Sequence, residues 1–129
     1  MFDLPKYGDG VCLARLAALL EVLDIDRARL QRVSVAVTGS NGKGSTAAIC
    51  AEIGRACGLC TGLFTSPHLV RFNERIQVDG VEIGNEAFVR LQRRVEAAIA
   101  EVSKRLGQQF GAFEALFALA CLHFQESEC

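Results

Sequence analysis

The sequence predicts an α/β fold in which a parallel sheet of the phosphate-loop type is flanked by helices. Three observations carry this prediction: a β-branched run at Val33–Val37, a glycine-rich loop directly after it, and a helical pattern that leads into a second apolar run at Leu59–Phe64. The order strand, loop, helix, strand is a βαβ unit, and such a unit makes its two strands parallel. We expect the sheet to be incomplete, because fully buried parallel sheets need more than two strands.

Helical periodicity predicts two helices in the first half of the chain. Leucines recur at helical spacing from Leu13 to Leu23, after the start signal Asp9-Gly10, which predicts a helix over residues 11–23. A second helix is expected to begin near Ser45, directly behind the glycine-rich loop. Gly58 is well placed to end that helix, because glycine readily adopts the left-handed conformation of a helix C-terminus.

The second half of the chain predicts a hairpin and two further helices. After an irregular stretch over residues 65–75, two short apolar runs flank Asp79-Gly80, which is a strong signal for a two-residue hairpin. Asn85 is expected to cap a long helix with a steady apolar stripe, and Gly107 is expected to end it. Apolar side chains at helical intervals predict a last helix over residues 113–124.

The composition excludes several classes of protein. Of the 129 residues, 50% are hydrophobic and 22% are charged, which is too much apolar content for a disordered chain. The net charge of -1 lacks the basic excess that binding to nucleic-acid phosphates requires. The longest apolar run, Ala115–Leu122, is far shorter than the ~20 residues that a membrane-spanning helix needs. We therefore expect a globular domain without a nucleic-acid or membrane partner.

The cysteines favour a reduced, cytoplasmic protein. The N-terminus shows no basic segment followed by an apolar stretch, so no secretory leader is expected. Cys12, Cys50, Cys57 and Cys121 lie among Ala, Leu and Ile, where cysteine behaves as a small buried apolar residue. Cys57 and Cys60 form a C-x-x-C pair, but no second pair of ligands follows at the spacing of a zinc site.

The loop between the predicted strand and helix has the features of a phosphate site. Glycines let the backbone turn tightly and direct its N–H groups at one point, and the helix N-terminus behind them favours an anion. A lysine in such a loop contacts the β- and γ-phosphates of a nucleotide. A plain turn is the alternative, but it does not call for a lysine between two glycines. The candidate ATP- and phosphate-binding residues are Gly39, Ser40, Asn41, Gly42, Lys43, Gly44, Ser45 and Thr46.

This loop departs from the common pattern G-x-x-x-x-G-K-[ST] at one position. Gly44 stands where a Ser or Thr hydroxyl normally contacts Mg²⁺. Ser45 and Thr46 follow immediately, so either the geometry is shifted or a magnesium ligand comes from elsewhere in the chain. This departure argues against membership of the protein in the ordinary GTPase and kinase classes.

Three segments, in this order, resemble the folylpolyglutamate synthase/dihydrofolate synthase family of the Mur ligase superfamily: Val35–Thr46, Thr65–Leu69 and Phe72–Ile76. Ser40 replaces the threonine that is usual in the family's loop and keeps the hydroxyl group. The resemblance covers almost the whole chain. It implies that residues 1–129 are the N-terminal part of a Mur-type ATP-binding domain, without the C-terminal ligase domain.

The resemblance implies ATP-dependent amide formation. The γ-phosphate of ATP passes to a carboxylate of dihydropteroate or of a folate, and the amine of glutamate attacks the resulting acyl phosphate. Such phosphoryl transfer depends on positioning and on charge neutralisation, and the resemblance gives Lys43 that catalytic role. The implied partners are these small molecules, with ATP and Mg²⁺ as cofactors. The implied setting is cytoplasmic folate biosynthesis and one-carbon metabolism, with a monomeric full-length enzyme.

The resemblance also implies roles outside the loop. Ser66 of the Thr-Ser-Pro segment matches a magnesium ligand of the family, and a hydroxyl oxygen suits this hard cation. Glu74 and Arg75 match a loop that borders the folate site, although the two residues could instead pair with each other. Phe113 matches a position near the pterin pocket, whereas His68 is expected to serve loop packing.

The sequence leaves two other hypotheses about the function open. The chain could be a truncated nucleotide-binding piece without activity, because groups that the family uses for magnesium and glutamate do not occur before Cys129. It could instead be another Mur-type amino-acid ligase, such as one that acts on a cell-wall precursor, but the Phe72–Ile76 segment disfavours this. We expect no ligase turnover from the isolated chain.

Overall fold

The computed structural model describes residues 2–6, 8–10 and 12–129. The helices among these residues are α1 (Leu13–Val22), α2 (Arg27–Val33), α3 (Lys43–Ala56), α4 (Asn85–Leu106) and α5 (Ala112–Glu126). The strands are β1 (Gly62–Phe64), β2 (Ile76–Val78) and β3 (Val81–Glu82), and a 3₁₀ turn at Phe72–Arg75 precedes β2. The predicted helix start at residue 11 lies outside the described residues.

Helices α1, α4 and α5 form the core, as their apolar periodicity predicts. The stripe of α4 faces α1 and α5, and its other side carries the charged residues to solvent. Gly107 ends α4 in the left-handed conformation, with φ 64°. No helix in the described part of the chain is long and apolar enough to span a membrane. The most completely buried aliphatic side chains of the core include Leu19, Leu91, Val95, Leu116 and Leu119.

The three strands form one antiparallel sheet in the order β1-β2-β3. Phe64 lies opposite Ile76, and Gly62 lies opposite Val78. The predicted hairpin is confirmed, because Asp79 and Gly80 both have positive φ, at 51° and 79°, as a type I′ turn requires.

Strand β1 lies between α3 and α5. At Gly62 a Cβ atom would come within 2.7 Å of the Phe124 ring of α5, so glycine permits the close approach on that side. At Gly54 of α3 a Cβ atom would come within 2.8 Å of the Thr61 side chain. The second half of the predicted βαβ unit, helix α3 followed by strand β1, is therefore present.

The predicted parallel pairing is wrong for this chain. Val33 is the last residue of α2, and residues 34–38 belong to no strand, although Ser34 has extended backbone angles. β1 instead pairs in antiparallel fashion with β2. The physical reason is that a β-branched run favours extended backbone but does not specify a partner, which is a long-range property. Val33 and Val35 are accordingly 63% and 79% exposed.

Helix α3 also leaves much apolar surface uncovered. Helix α3 has no buried residue, and its Ile49 and Ile53 are largely exposed. The chain exposes 7995 Å², whereas a compact monomer of this mass exposes about 6,700 Å². This excess agrees with the expectation that the sheet is incomplete.

The predicted cap of α4 also needs correction. Asn85 is not the cap of α4, because Gly84 takes the N-cap position. The Asn85 Oδ1 atom instead accepts a hydrogen bond from Asn73 Nδ2 at 3.1 Å. This bond links the start of α4 to the 3₁₀ turn and gives the asparagine a tertiary partner in place of the local one.

The cysteines differ from the expected uniformly reduced and buried set. Cys60 and Cys129 form a disulfide, with their Cα atoms 4.9 Å apart, whereas Cys57 of the C-x-x-C pair is an exposed thiol. Cys50 is exposed as well, because it lies on α3. Only Cys121 is fully buried among the described thiols, and burial raises its pKa to about 12.

Candidate functional site

The glycine-rich loop ends at an open helix N-terminus. Gly42 is the N-cap of α3 and has φ 74° and ψ 3°, a left-handed conformation that favours glycine. No side chain caps this helix end among the described residues. The first backbone hydrogen bond of the helix runs from the Thr46 N–H to the Gly42 carbonyl at 2.9 Å. The N–H groups of the preceding residues therefore have no partner within the helix and can bind an anion.

Lys43 lies across this loop. Its Nζ atom donates to the Gly39 carbonyl at 2.7 Å and to the Ser40 carbonyl at 3.4 Å. Gly39 has φ 148°, so the two glycines that precede the lysine both use conformations that other residues rarely adopt. The Lys43 ammonium group and the N-terminus of α3 therefore both belong to this short loop segment.

The Thr-Ser-Pro segment begins directly after β1. Ser66 is exposed, and the peptide bond between Ser66 and Pro67 is cis. No cluster of three or more His, Cys, Asp or Glu side chains occurs within residues 2–6, 8–10 and 12–129, so these residues hold no complete carboxylate or imidazole metal site. The exposed hydroxyl of Ser66 fits a single oxygen ligand of Mg²⁺, a cation that usually takes few protein ligands and keeps several waters or phosphate oxygens.

The Glu74 carboxylate orders the loop that follows the Thr-Ser-Pro segment. Its Oε2 atom accepts from the Leu69 N–H at 2.7 Å, and its Oε1 atom accepts from the Val70 and Arg71 N–H groups at 2.9 and 2.8 Å. These backbone donors hold the pKa of Glu74 below its usual range. The alternative pairing of Glu74 with Arg75 is therefore wrong, since both carboxylate oxygens bind the backbone.

The backbone of Arg75 is hydrogen-bonded to the backbone of the Thr-Ser-Pro segment. The Arg75 carbonyl accepts from the Thr65 N–H at 3.0 Å, which extends the β1–β2 pairing by one residue. The guanidinium carbon is 5.9 Å from the ring centroid of Phe72. Arg75 is half-buried, its Nε atom has no hydrogen-bond partner in the described structure, and burial lowers its pKa. These facts distinguish Arg75 from the solvated arginines of α4.

Phe113 packs beside the end of β1. Its ring centroid is 5.6 Å from that of Phe64, and the side chain remains 51% exposed. The next residue, Glu114, has a structural role, because it forms a bidentate ion pair with the buried Arg15. Sequence reasoning missed Arg15, which shows no local signal apart from its position on the apolar helix α1.

The structure thus brings together one group of the predicted site residues and leaves the other apart. Ser66, Arg75 and Phe113 adjoin the end of β1, with Arg75 placed there by the hydrogen bond of its carbonyl with the Thr65 N–H. In the described structure, the hydrogen bonds of the glycine loop stay within the loop and α3. A ligand that contacts both groups would have to bridge from the start of α3 to the end of β1.

Comparison with known proteins identifies relatives of one kind, although no family model matches the chain. The chain is 38% identical over 130 residues to the folylpolyglutamate synthase of Lacticaseibacillus casei. It is 33% identical over 121 residues to the dihydrofolate synthase/folylpolyglutamate synthase of Bacillus subtilis. These matches cover 97% and 94% of this chain, but the chain spans only 28% of the length of either relative.

Solved structures agree with the sequence matches. Folylpolyglutamate synthase from Thermotoga maritima has a TM-score of 0.83 and 30% identity, over 94% of this chain and 28% of that one. The Mycobacterium tuberculosis enzyme complexed with ADP has a TM-score of 0.76 and 31% identity, over 89% and 26% of the two chains. A complex of the synthase with AMPPCP and folate has a TM-score of 0.74 and 34% identity, over 88% and 28%. Sequence and fold together place the chain in the folylpolyglutamate synthase/dihydrofolate synthase family, with its Mur ligase fold, as a homologue of part of these longer enzymes.

Proposed function

We propose that this chain provides the phosphate-binding part of an ATP-dependent ligase that joins glutamate to a folate or dihydropteroate carboxylate through an acyl phosphate. The observation that carries the proposal is the uncapped start of α3, with Lys43 folded across the loop before it. Related structures that hold ADP, or AMPPCP with folate, support the same ligand classes. The activity belongs to the longer enzyme as a whole, since the chain spans about a quarter of its relatives.

The loop residues have distinct proposed roles. The N–H groups from Asn41 to Ser45 cradle the phosphates, and the hydroxyls of Ser40, Ser45 and Thr46 add hydrogen bonds. Lys43 exchanges its two backbone carbonyl partners for the β- and γ-phosphate oxygens. An exposed ammonium makes this exchange at little cost, and it then neutralises charge that develops during phosphoryl transfer.

Magnesium is the proposed metal, with Ser66 as one of its ligands. The exposed hydroxyl oxygen at the end of β1 has the donor chemistry that this cation prefers. When bound, Mg²⁺ supplies charge neutralisation at the phosphates. This assignment also accounts for Gly44, which brings no hydroxyl to the usual position of the loop.

The acceptor acid is proposed to bind at the end of β1. Arg75 and Phe113 are the contact residues, because one offers a half-buried cation and the other an exposed aromatic face. Glu74 acts indirectly, since its carboxylate is engaged by the backbone of the loop. The proposed setting for the full-length enzyme remains a cytoplasmic monomer in folate and one-carbon metabolism.

A second candidate function is nucleotide binding without turnover by the 129-residue chain itself. The exposed run at Val33–Val37 and the uncovered face of α3 favour it, because both lack packing partners in the described structure. The folate relatives argue against a cell-wall ligase as the third alternative.

Calorimetry with MgATP tests the phosphate-loop proposal. Lys43→Ala should weaken binding by about tenfold or more, because a charge-assisted hydrogen bond to phosphate is lost. Lys104→Ala, which removes the same charge from the exposed surface of α4, is the matched control and should bind like the unmodified chain. Equal affinities for the Lys43→Ala variant and the unmodified chain would reject the loop assignment.

A mixed assay separates the two candidate functions. With ATP, Mg²⁺, glutamate and dihydropteroate present, the isolated chain should release no phosphate above background. Glutamate-dependent phosphate release would show instead that this length of chain suffices for the ligase reaction.

A further inference from the structure

The disulfide between Cys60 and Cys129 connects two elements that are far apart in the sequence. Cys60 lies in the connection between α3 and β1, and Cys129 lies directly after the turn that follows α5. Cys60 is exposed and Cys129 is half-buried, so a small molecule in solution can reach the bond. In the cytoplasmic setting proposed above, an accessible disulfide exchanges with small thiols, because that compartment keeps thiols reduced.

The two sulfur atoms lie beside one backbone acceptor, the carbonyl oxygen of Ser127. The Sγ atom of Cys60 is 3.6 Å from this oxygen, and the Sγ atom of Cys129 is 4.0 Å from it. A disulfide sulfur carries no hydrogen, whereas a thiol is a weak donor and a carbonyl oxygen has two lone pairs. Reduction would therefore convert these contacts into S–H···O hydrogen bonds. The same fold offers partners to both redox states of the pair.

Residues 127–129 are also held by bonds that do not involve sulfur. The guanidinium of Arg29 in α2 donates to the carbonyls of Glu128 and Cys129 at 3.0 and 3.1 Å. The Cys129 N–H donates to the Phe124 carbonyl at 3.0 Å, and the Phe124 ring packs against Gly62 of β1. These contacts keep the two cysteines close after reduction, so each thiol has a high effective concentration for the other.

We propose that Cys60 and Cys129 form a reversible thiol–disulfide site, which a low-molecular-weight thiol opens and its disulfide closes. In the closed state the site ties the turn after α5 to the start of β1. The site goes beyond the ligase activity and does not depend on it. Cys60 precedes β1, whereas Ser66, the proposed magnesium ligand, follows that strand.

The exchange balances in two steps. The thiolate of a first small thiol attacks one sulfur of the pair, the Cys60–Cys129 bond breaks, and the other cysteine leaves as a thiolate that takes up a proton. A second small thiolate attacks the resulting mixed disulfide, which releases the remaining cysteine and forms the disulfide of the small thiol. The two protons lost by the small thiols end on the two cysteines. Closing is the reverse reaction, with the small disulfide as the oxidant.

Equilibration with glutathione tests whether the site is reversible. The folded 129-residue chain is incubated without denaturant at increasing ratios of reduced to oxidised glutathione, quenched in acid, alkylated and analysed by peptide mass spectrometry. We expect the Cys60–Cys129 bond to pass from fully formed to fully reduced, with the same midpoint from either direction. A bond that opens only in urea would overturn the proposal, and so would a Cys57–Cys60 bond in place of the original one.

Three variants test the arrangement around the site. Arg29→Gln should move the midpoint about fivefold towards the oxidised buffer, because the reduced thiols lose an anchor and gain freedom. Arg32→Gln removes the same charge from an exposed position of α2 and should leave the midpoint unchanged, as should Cys57→Ser. An unchanged midpoint in Arg29→Gln, or a large shift in Cys57→Ser, would contradict the anchored pair of Cys60 and Cys129.

Amide hydrogen exchange measures what the closed site holds in place. The N–H groups of residues 127–129 donate to carbonyls of His123, Gln125 and Phe124. They should exchange severalfold faster in the reduced chain, while the amides of α4 keep their rates. Cys129→Ser should match the reduced chain in either buffer. Equal protection of these three amides in both redox states would overturn the role of the site as a tether.

Discussion

Arg15 and Glu114 form a bidentate ion pair that joins the first and last helices. The Arg15 Nε atom donates to Glu114 Oε1 at 3.1 Å, and its Nη2 atom donates to Oε2 at 2.8 Å. The Arg15 side chain is completely buried, and its Nη2 atom also donates to the Gly10 carbonyl. Glu114 Oε2 accepts from the Gly111 N–H as well, so the pair caps the start of α5.

Removal of one partner of this pair should strongly destabilise the chain. Glu114→Gln leaves the buried guanidinium without its counter-charge, so the free energy of unfolding should fall by about 3–5 kcal/mol. Urea unfolding measures the change. Arg94→Gln breaks an exposed ion pair with Glu126 and should cost only about 0–1 kcal/mol. Similar losses for the two variants would contradict the structural role given to the buried pair.

The order of the loop over Leu69–Arg71 should depend on pH through Glu74. Because backbone donors lower the folded pKa of Glu74, its carboxylate stabilises the loop above the ordinary carboxyl pKa, and this contribution is lost as the pH falls through the folded pKa. Amide hydrogen exchange should show protection of these three N–H groups at neutral pH and its loss in acid.

Glu74→Gln provides the control for that experiment. The variant should show weak protection of the same amides at every pH, because a neutral amide oxygen is a poorer acceptor. Protection that is equal in the variant and the unmodified chain would rule out the carboxylate as the group that orders this loop.

Gly62→Ala should disturb the contact between β1 and α5. A methyl group at this position would lie 2.7 Å from the Phe124 ring, so a cost of about 1–3 kcal/mol in the free energy of unfolding is expected. Gly84→Ala is the matched control, because its added Cβ meets nothing within 4 Å and its φ is -66°. Thermal unfolding that ranks the two variants in the opposite order would refute the close packing at Gly62.

Thiol labelling tests the arrangement of the cysteines. Without reductant, iodoacetamide should modify the exposed Cys50 and Cys57 and spare the Cys60–Cys129 pair. Cys121 should react slowest of the thiols, because burial and a pKa of about 12 leave little thiolate near neutral pH. Mass spectrometry of peptides before and after reduction gives the result. Modification of Cys60 without reductant would disprove the disulfide.

Local signals allowed much of the fold to be predicted. Helix α4 and its end at Gly107 follow from an apolar stripe and a left-handed glycine, and the Asp79-Gly80 turn follows from two residues that tolerate positive φ. The predicted parallel pairing of Val33–Val37 is wrong, because the partner of a strand depends on segments that are distant in the sequence.

The site was predictable to the extent that its chemistry is local. The glycine loop depends on consecutive residues, so its helix and its lysine could be recognised. The ion pair of Arg15 with Glu114 spans 99 positions, and the disulfide of Cys60 spans 69, so neither has a local signal. The role of Glu74 had no such signal either, because the N-cap residue of its turn is Arg71 and not the Ser or Thr of a capping box.

The start of α3 is proposed to bind the phosphates of a nucleotide. The most direct measurement is the change in backbone amide chemical shifts of the 129-residue chain when MgADP is added. The largest shifts should fall on the N–H groups of Gly42 to Thr46, with little change along the exposed face of α4. Shifts that are absent from this loop, or that are no larger there than on α4, would contradict the account.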